Sequence, residues 1–175
     1  MSKVKKLVLA GVFLAFAMLL PLLTGQIQSF GKLLAPMHLP VLLAGFVLGP
    51  WYGLAIGFIA PILRSLIFTM PSLYPIAVAM AFELAAYGAF SGLLYRAFPR
   101  KTIYIYLSLV LSMLIGRAVY GTAMLLISGL AGAPYTFSMF MTAAFVESWI
   151  GIALQIVIIP PLVLLLKKAK LCDSL

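Results

Sequence analysis

Arg64, Glu83, Arg117 and Glu147 are charged side chains embedded in long apolar runs, and they are the residues of this chain best equipped for chemistry. An unpaired charge costs roughly 2.5–3.5 kcal/mol near the middle of a membrane helix, so each must face the protein interior and find a partner or water. Two readings follow. In one, the arginines and glutamates pair with each other and fix helix register, as buried ion pairs sometimes do. In the other, they line a water-accessible pocket and hold a polar ligand, the planar arginine fork giving two parallel hydrogen bonds to a carboxylate or phosphate. The readings overlap, since one pair can act as scaffold while one arginine meets the ligand. His38, at the start of its apolar run, joins the four. Tyr120 lies three residues after Arg117 and Tyr87 four after Glu83, so each shares a helix face with a charge. Tyr74 stands in a connection between two prolines, TMPSLYP. Tyrosines at a membrane interface also serve as plain anchors.

Bond-breaking chemistry finds little support. The chain has no HExxH, no GxSxG and no Walker-type GxxxxGK[ST], and no His and Cys cluster for a metal. No catalytic group, metal or cofactor is expected, and ATP-driven work would need an ATPase on another chain. The one cysteine, Cys172, lies beside a lysine-rich tail, which leaves no intramolecular disulfide. Two alternatives stay open: a structural or scaffolding six-helix membrane protein whose charges are internal pairs, and a small membrane enzyme using Glu83 or Glu147 as acid or base.

The elements that must position these residues are membrane helices. Of 175 residues, 65% are hydrophobic and 9% charged, and the mean hydropathy is +1.22, far more apolar than a soluble domain. At ~20 residues per span the length accommodates about six transmembrane helices and no separate soluble domain, so residues 1–175 form a single six-helix transmembrane domain. Lipid offers the backbone no partners, and the strand-length alternation of a barrel is absent, so the fold class is an all-α integral membrane protein. The expected spans are Leu7 to Leu23, Leu33 to Leu48, Trp51 to Phe68, Pro75 to Tyr95, Ile103 to Ile127 and Met139 to Leu166. The start, MSKVKK before an apolar run, resembles a secretory signal, but no small-residue cleavage site is evident, and it reads as the first span. A polar patch of Thr24, Gly25, Gln26, Gln28, Ser29 and Lys32 follows that span. Pro160 and Pro161 are expected to kink the last helix. The nine methionines read as filler in packed or lipid-facing surface.

The net charge of +9 reflects short clusters at the ends of apolar runs, a mark of topology and not of nucleic-acid binding. With six spans, Lys3, Lys5, Lys6, Arg96, Arg100, Lys101, Lys167, Lys168 and Lys170 share one side and only Lys32 lies in a connection on the other. Both termini are therefore expected in the cytoplasm of a bacterial-type plasma membrane. On that topology Arg64 lies near the outer end of the third helix. Glu83 lies about 12 Å in from the outer end of the fourth at 1.5 Å per residue. Arg117 and Glu147 fall at similar depths in the fifth and sixth. Four helices thus bring charge to the outer half, with His38 above.

The second and third runs form a hairpin with Gly45, Gly49, Gly53 and Gly57 four apart, a spacing that lets membrane helices approach closely; Pro50 breaks one helix and starts the next. The stretches PVLLAGFVLGPWYGLAIGFIAPILRSL and AMAFELAAYGAFSGLLYR resemble the substrate-binding S components of energy-coupling factor (ECF) transporters, a likeness covering most of the chain and strongest from Met37 to Arg96. The resemblance implies a subunit that captures a vitamin or related micronutrient near its extracellular side. It implies association with a transmembrane coupling subunit and two cytoplasmic ATPases, and toppling in the bilayer to release cargo. It also implies a small-residue motif in the first helix for the coupling subunit, which Gly11 and Ala15 match, with glycine at the first small position. Two buried arginines fit an anionic vitamin such as pantothenate or a folate better than a cationic one such as thiamin; riboflavin and a queuosine precursor remain open.

Overall fold

A lipid-embedded backbone must satisfy its own amides, and an apolar chain of this kind resolves into helices. The computed structural model describes residues 1–24, 33–99, 101–130, 132, 135–169 and 171–172. The principal helices are α1 (Lys3–Leu19), α2 (His38–Leu48), α3 (Pro50–Phe68), α4 (Val78–Ala97), α5 (Thr102–Leu130), α6 (Phe137–Met141) and α7 (Trp149–Lys168). A tight turn of helix, Leu20–Thr24, prolongs α1, and wide turns lead into α4 (Leu73–Ala77) and follow α6 (Thr142–Val146). Among the described residues there is no strand. Gly25, Gln26, Gln28, Ser29 and Lys32 of the polar patch, and the basic residues Arg100 and Lys170, lie outside the described residues.

Five helical stretches are long and apolar enough to cross a membrane: Lys3–Leu23, Pro50–Phe68, Leu73–Ala97, Thr102–Leu130 and Trp149–Lys168. The second expected span is different. Its helix, α2, has 11 residues, about 16 Å at 1.5 Å per residue. Ten of those 11 are buried, because α1, α3, α4 and α7 all pack around it. Being apolar on every side, α2 belongs in the centre of the bundle.

The glycines fix how closely that centre closes. Gly49, at φ 98°, makes the reversal from α2 into α3, a conformation that a side chain would strain. Gly53 and Gly88 face each other so tightly that a Cβ on either would strike the other's carbonyl. The hairpin glycines therefore serve two purposes: they bring α2 against α3, and above all they admit α4, with Gly45 against Gly88 and Ser91 and Gly57 against the Leu84 carbonyl.

One expectation about the last span changes. The run from Met139 to Leu166 is not one helix: α6 and its wide turn end at Glu147 and Ser148, and α7 begins at Trp149. Two hydroxyls bond back to the chain at the bend. Thr142 Oγ1 donates to the Ser138 carbonyl at 3.0 Å and Ser148 Oγ to the Ala144 carbonyl at 2.9 Å, a back-bonding pattern that bends helices. Pro160 and Pro161 lie within α7, which continues to Lys168; membrane helices tolerate such prolines when neighbours satisfy the freed carbonyls.

Candidate functional site

The alternating direction of the helices sorts the side chains by end. α1, α3 and α5 finish, and α2, α4 and α7 begin, at one end of the bundle; Lys3, Lys5, Lys6, Arg96, Lys101, Lys167 and Lys168 stand at the other. At the first end lies a cavity of about 690 Å³ whose wall includes His38, Arg64, Glu83, Arg117, Tyr120 and Glu147. Residues from α2, α3, α4, α5 and the break before α7 thus meet in one space.

Its floor is an ion-paired cluster. Glu83 is 2% exposed. Its Oε1 lies 3.2 Å from Arg117 Nη1, accepts a hydrogen bond from the Tyr87 hydroxyl at 3.0 Å, and stands 3.7 Å from His38 Nε2, too far for a hydrogen bond. Arg117 also donates from Nη2 to Ser148 Oγ at 2.9 Å. The buried Tyr87 ring packs against the His38 imidazole with centroids 5.3 Å apart. Arg117 and Glu83 are thus partners, as the scaffold reading requires.

Arg64 is held differently. Its Nη1 donates to the Met18 carbonyl at 2.6 Å and its guanidinium lies 5.1 Å from the Phe68 ring centre. Among the described residues it has no carboxylate within ion-pair distance. A neutral carbonyl and an aromatic face orient the guanidinium without neutralising it, so its charge remains available to the cavity.

Two of the sequence candidates do not line the cavity. Tyr87 is fully buried beneath it. Tyr74 is 57% exposed and donates its hydroxyl to the Ile127 carbonyl of α5 at 3.1 Å, tying down the connection whose residues Thr69 to Ser72 do face the cavity. Gly11 and Ala15 are exposed on α1, with nothing near a Cβ built on Gly11, so this small-residue face is open.

Sequence reasoning passed over other wall residues. Tyr135 lines the cavity, and its hydroxyl is buried with no hydrogen-bond partner among the described residues; its place after the loop SGLAGAP, mirroring Tyr74 after a Pro-containing loop, is the signal that marks it. Ser148, next to Glu147, orients Arg117. Five of the nine methionines, Met37, Met70, Met80, Met124 and Met139, belong to the wall, which corrects their reading as filler. They supply a soft, adaptable apolar surface.

Residues 5–163 match the family model described as ECF transporter, substrate-specific component. No curated protein and no solved structure matches the chain.

Proposed function

The chain belongs to the substrate-specific components of ECF transporters, and we propose that its cavity captures a small anionic micronutrient of the vitamin class from the extracellular side. Membership makes it a multi-pass membrane protein that binds a small-molecule substrate and works with coupling and ATPase subunits, and it is a transporter subunit rather than an enzyme. The observation that carries the finer reading is the cavity itself. Its 690 Å³ falls in the range of about 300–1,000 Å³ usual for small-molecule sites, and it joins an apolar wall to a few convergent polar groups.

Within it, Arg64 is the anion anchor, since its guanidinium has no carboxylate partner among the described residues. Glu83 and Arg117, supported by Tyr87, form a preorganised floor. His38, Tyr120 and Glu147 flank the ligand, and Tyr74 holds a loop of the mouth. The extracellular assignment rests on the lysines and arginines gathered at the opposite end. The open Gly11–Ala15 face of α1 suits close approach of a helix from the coupling subunit.

The test is direct binding. Protein in nanodiscs is titrated calorimetrically with a panel of anionic, neutral and cationic vitamins; an anionic ligand binding in the nanomolar to micromolar range, weakened by Arg64→Gln, is the expected result. Absence of any binder from the panel, or binding confined to cationic vitamins, overturns the reading.

A further inference from the structure

Pro21 and Arg64 both belong to the cavity wall, and Pro21 interrupts the helix that holds Arg64 in place. The regular ladder of α1 ends with the bond from the Leu20 N–H to the Phe16 carbonyl. The next bond would start from residue 21, and proline has no N–H to give. From Leu20 to Thr24 the chain tightens into three-residue steps. In such a step the amide aimed at the Met18 carbonyl is that of residue 21, so the same missing N–H withholds a backbone donor from Met18.

Arg64 supplies a donor in its place. Its Nη1 donates to the Met18 carbonyl at 2.6 Å, reaching across from α3, which packs against α1. Met18 is 8% exposed, and a buried carbonyl left unmet costs about 1–3 kcal/mol. A charged donor therefore has a strong reason to stay there. The guanidinium carries five N–H groups, so one bond to Met18, with the Phe68 ring 5.1 Å away, fixes its position without exhausting it.

We infer that Pro21 is a positioning residue for the anion site: by withholding its N–H it reserves the Met18 carbonyl for Arg64, which sets the guanidinium in place before a ligand arrives. This rests on Arg64 as the anion anchor and deepens that reading, because a preorganised anchor spares the ligand the cost of ordering it. It makes the end of α1 part of the site.

The experiment uses the full chain. Unfolding in mixed micelles is compared for the unaltered protein, Pro21→Ala, Arg64→Gln and the double variant. Pro21→Ala restores the missing N–H, and Met18 then has a backbone donor from residue 21 if the tight turn persists or from residue 22 if the α-helix runs on. Arg64→Gln is expected to raise the unfolding constant about tenfold in the unaltered background and less than about threefold in the Pro21→Ala background. Equal effects in the two backgrounds overturn the inference. In nanodiscs, calorimetric dissociation constants for pantothenate and its neutral alcohol panthenol supply a readout that a merely structural proline would not divide. Pro21→Ala is expected to weaken pantothenate at least about fivefold and to leave panthenol within about twofold. A loss shared equally by the two probes, or no loss, overturns the inference and leaves the anionic reading standing. Should pantothenate not bind the unaltered protein, that result counts against the anionic reading, and the unfolding cycle decides the role of Pro21. Should Pro21→Ala fail to fold, hydrogen exchange at Leu22, Leu23 and Thr24 in Arg64→Gln decides it: exchange at least about fivefold faster than in the unaltered protein is expected, and unchanged exchange overturns the inference.

Discussion

Replacing Arg117 with glutamine tests whether this arginine is a scaffold. The substitution removes the cation 3.2 Å from Glu83 Oε1 and the donor 2.9 Å from Ser148 Oγ. The Glu83 carboxylate, 2% exposed, is left with the Tyr87 hydroxyl and an imidazole beyond hydrogen-bond range. Breaking a buried pair by deleting one partner costs about 3–5 kcal/mol, because a charge stays behind uncompensated. Glu83→Gln should cost a similar amount by stranding Arg117. The double variant strands neither charge, so it should be cheaper than the sum of the singles by about 2–3 kcal/mol. The assay is reversible unfolding in mixed micelles with rising sodium dodecyl sulfate, followed by circular dichroism, for the four proteins of the cycle. A cost below about 1 kcal/mol for Arg117→Gln, or single effects that simply add, would refute the scaffold argument. Arg117 would then be a second free cation at the site.

Arg64→Gln should behave in the opposite way: a loss of about 1.5 kcal/mol in the same unfolding assay, from the hydrogen bond to Met18, and at least about a hundredfold weaker binding of an anionic ligand. A stability loss exceeding that of Arg117→Gln with unchanged affinity counts against the division of labour. Gly53→Ala drives a methyl into the Gly88 carbonyl and should cost about 1–3 kcal/mol as α3 and α4 are forced apart; Gly11→Ala, with nothing within 4 Å of the new Cβ, should leave the melting temperature unchanged. Burial pushes the Cys172 thiol up to about 11. The thiolate is the reactive form, so maleimide labelling should be slow at pH 8 and rise about tenfold per pH unit up to that value, whereas an ordinary exposed thiol levels off near 8.5.

The membrane class, the helical architecture and the basic end of the bundle were legible in the sequence because they depend on composition and on where charge interrupts apolar runs. Lipid forces those outcomes on any such chain. The meeting of His38, Arg64, Glu83, Arg117 and Glu147 was legible for the same reason: a charge has few places to go inside a membrane, and alternating helix direction brings these five to one end. The family follows from the match over residues 5–163. Sequence could not say which arginine takes which partner. Arg64 and Arg117 are the same residue type in similar surroundings, and only the tertiary structure gives Arg117 to Glu83 and Ser148 while setting Arg64 on a carbonyl and a ring. Nor could it distinguish methionines in a cavity wall from methionines facing lipid, since both positions are apolar. The break at Glu147 and Ser148 was hidden because hydropathy does not register a change of backbone direction within an apolar run. Local chemistry fixed where the charges must gather; side-chain geometry decided how Arg117 and Arg64 are held there.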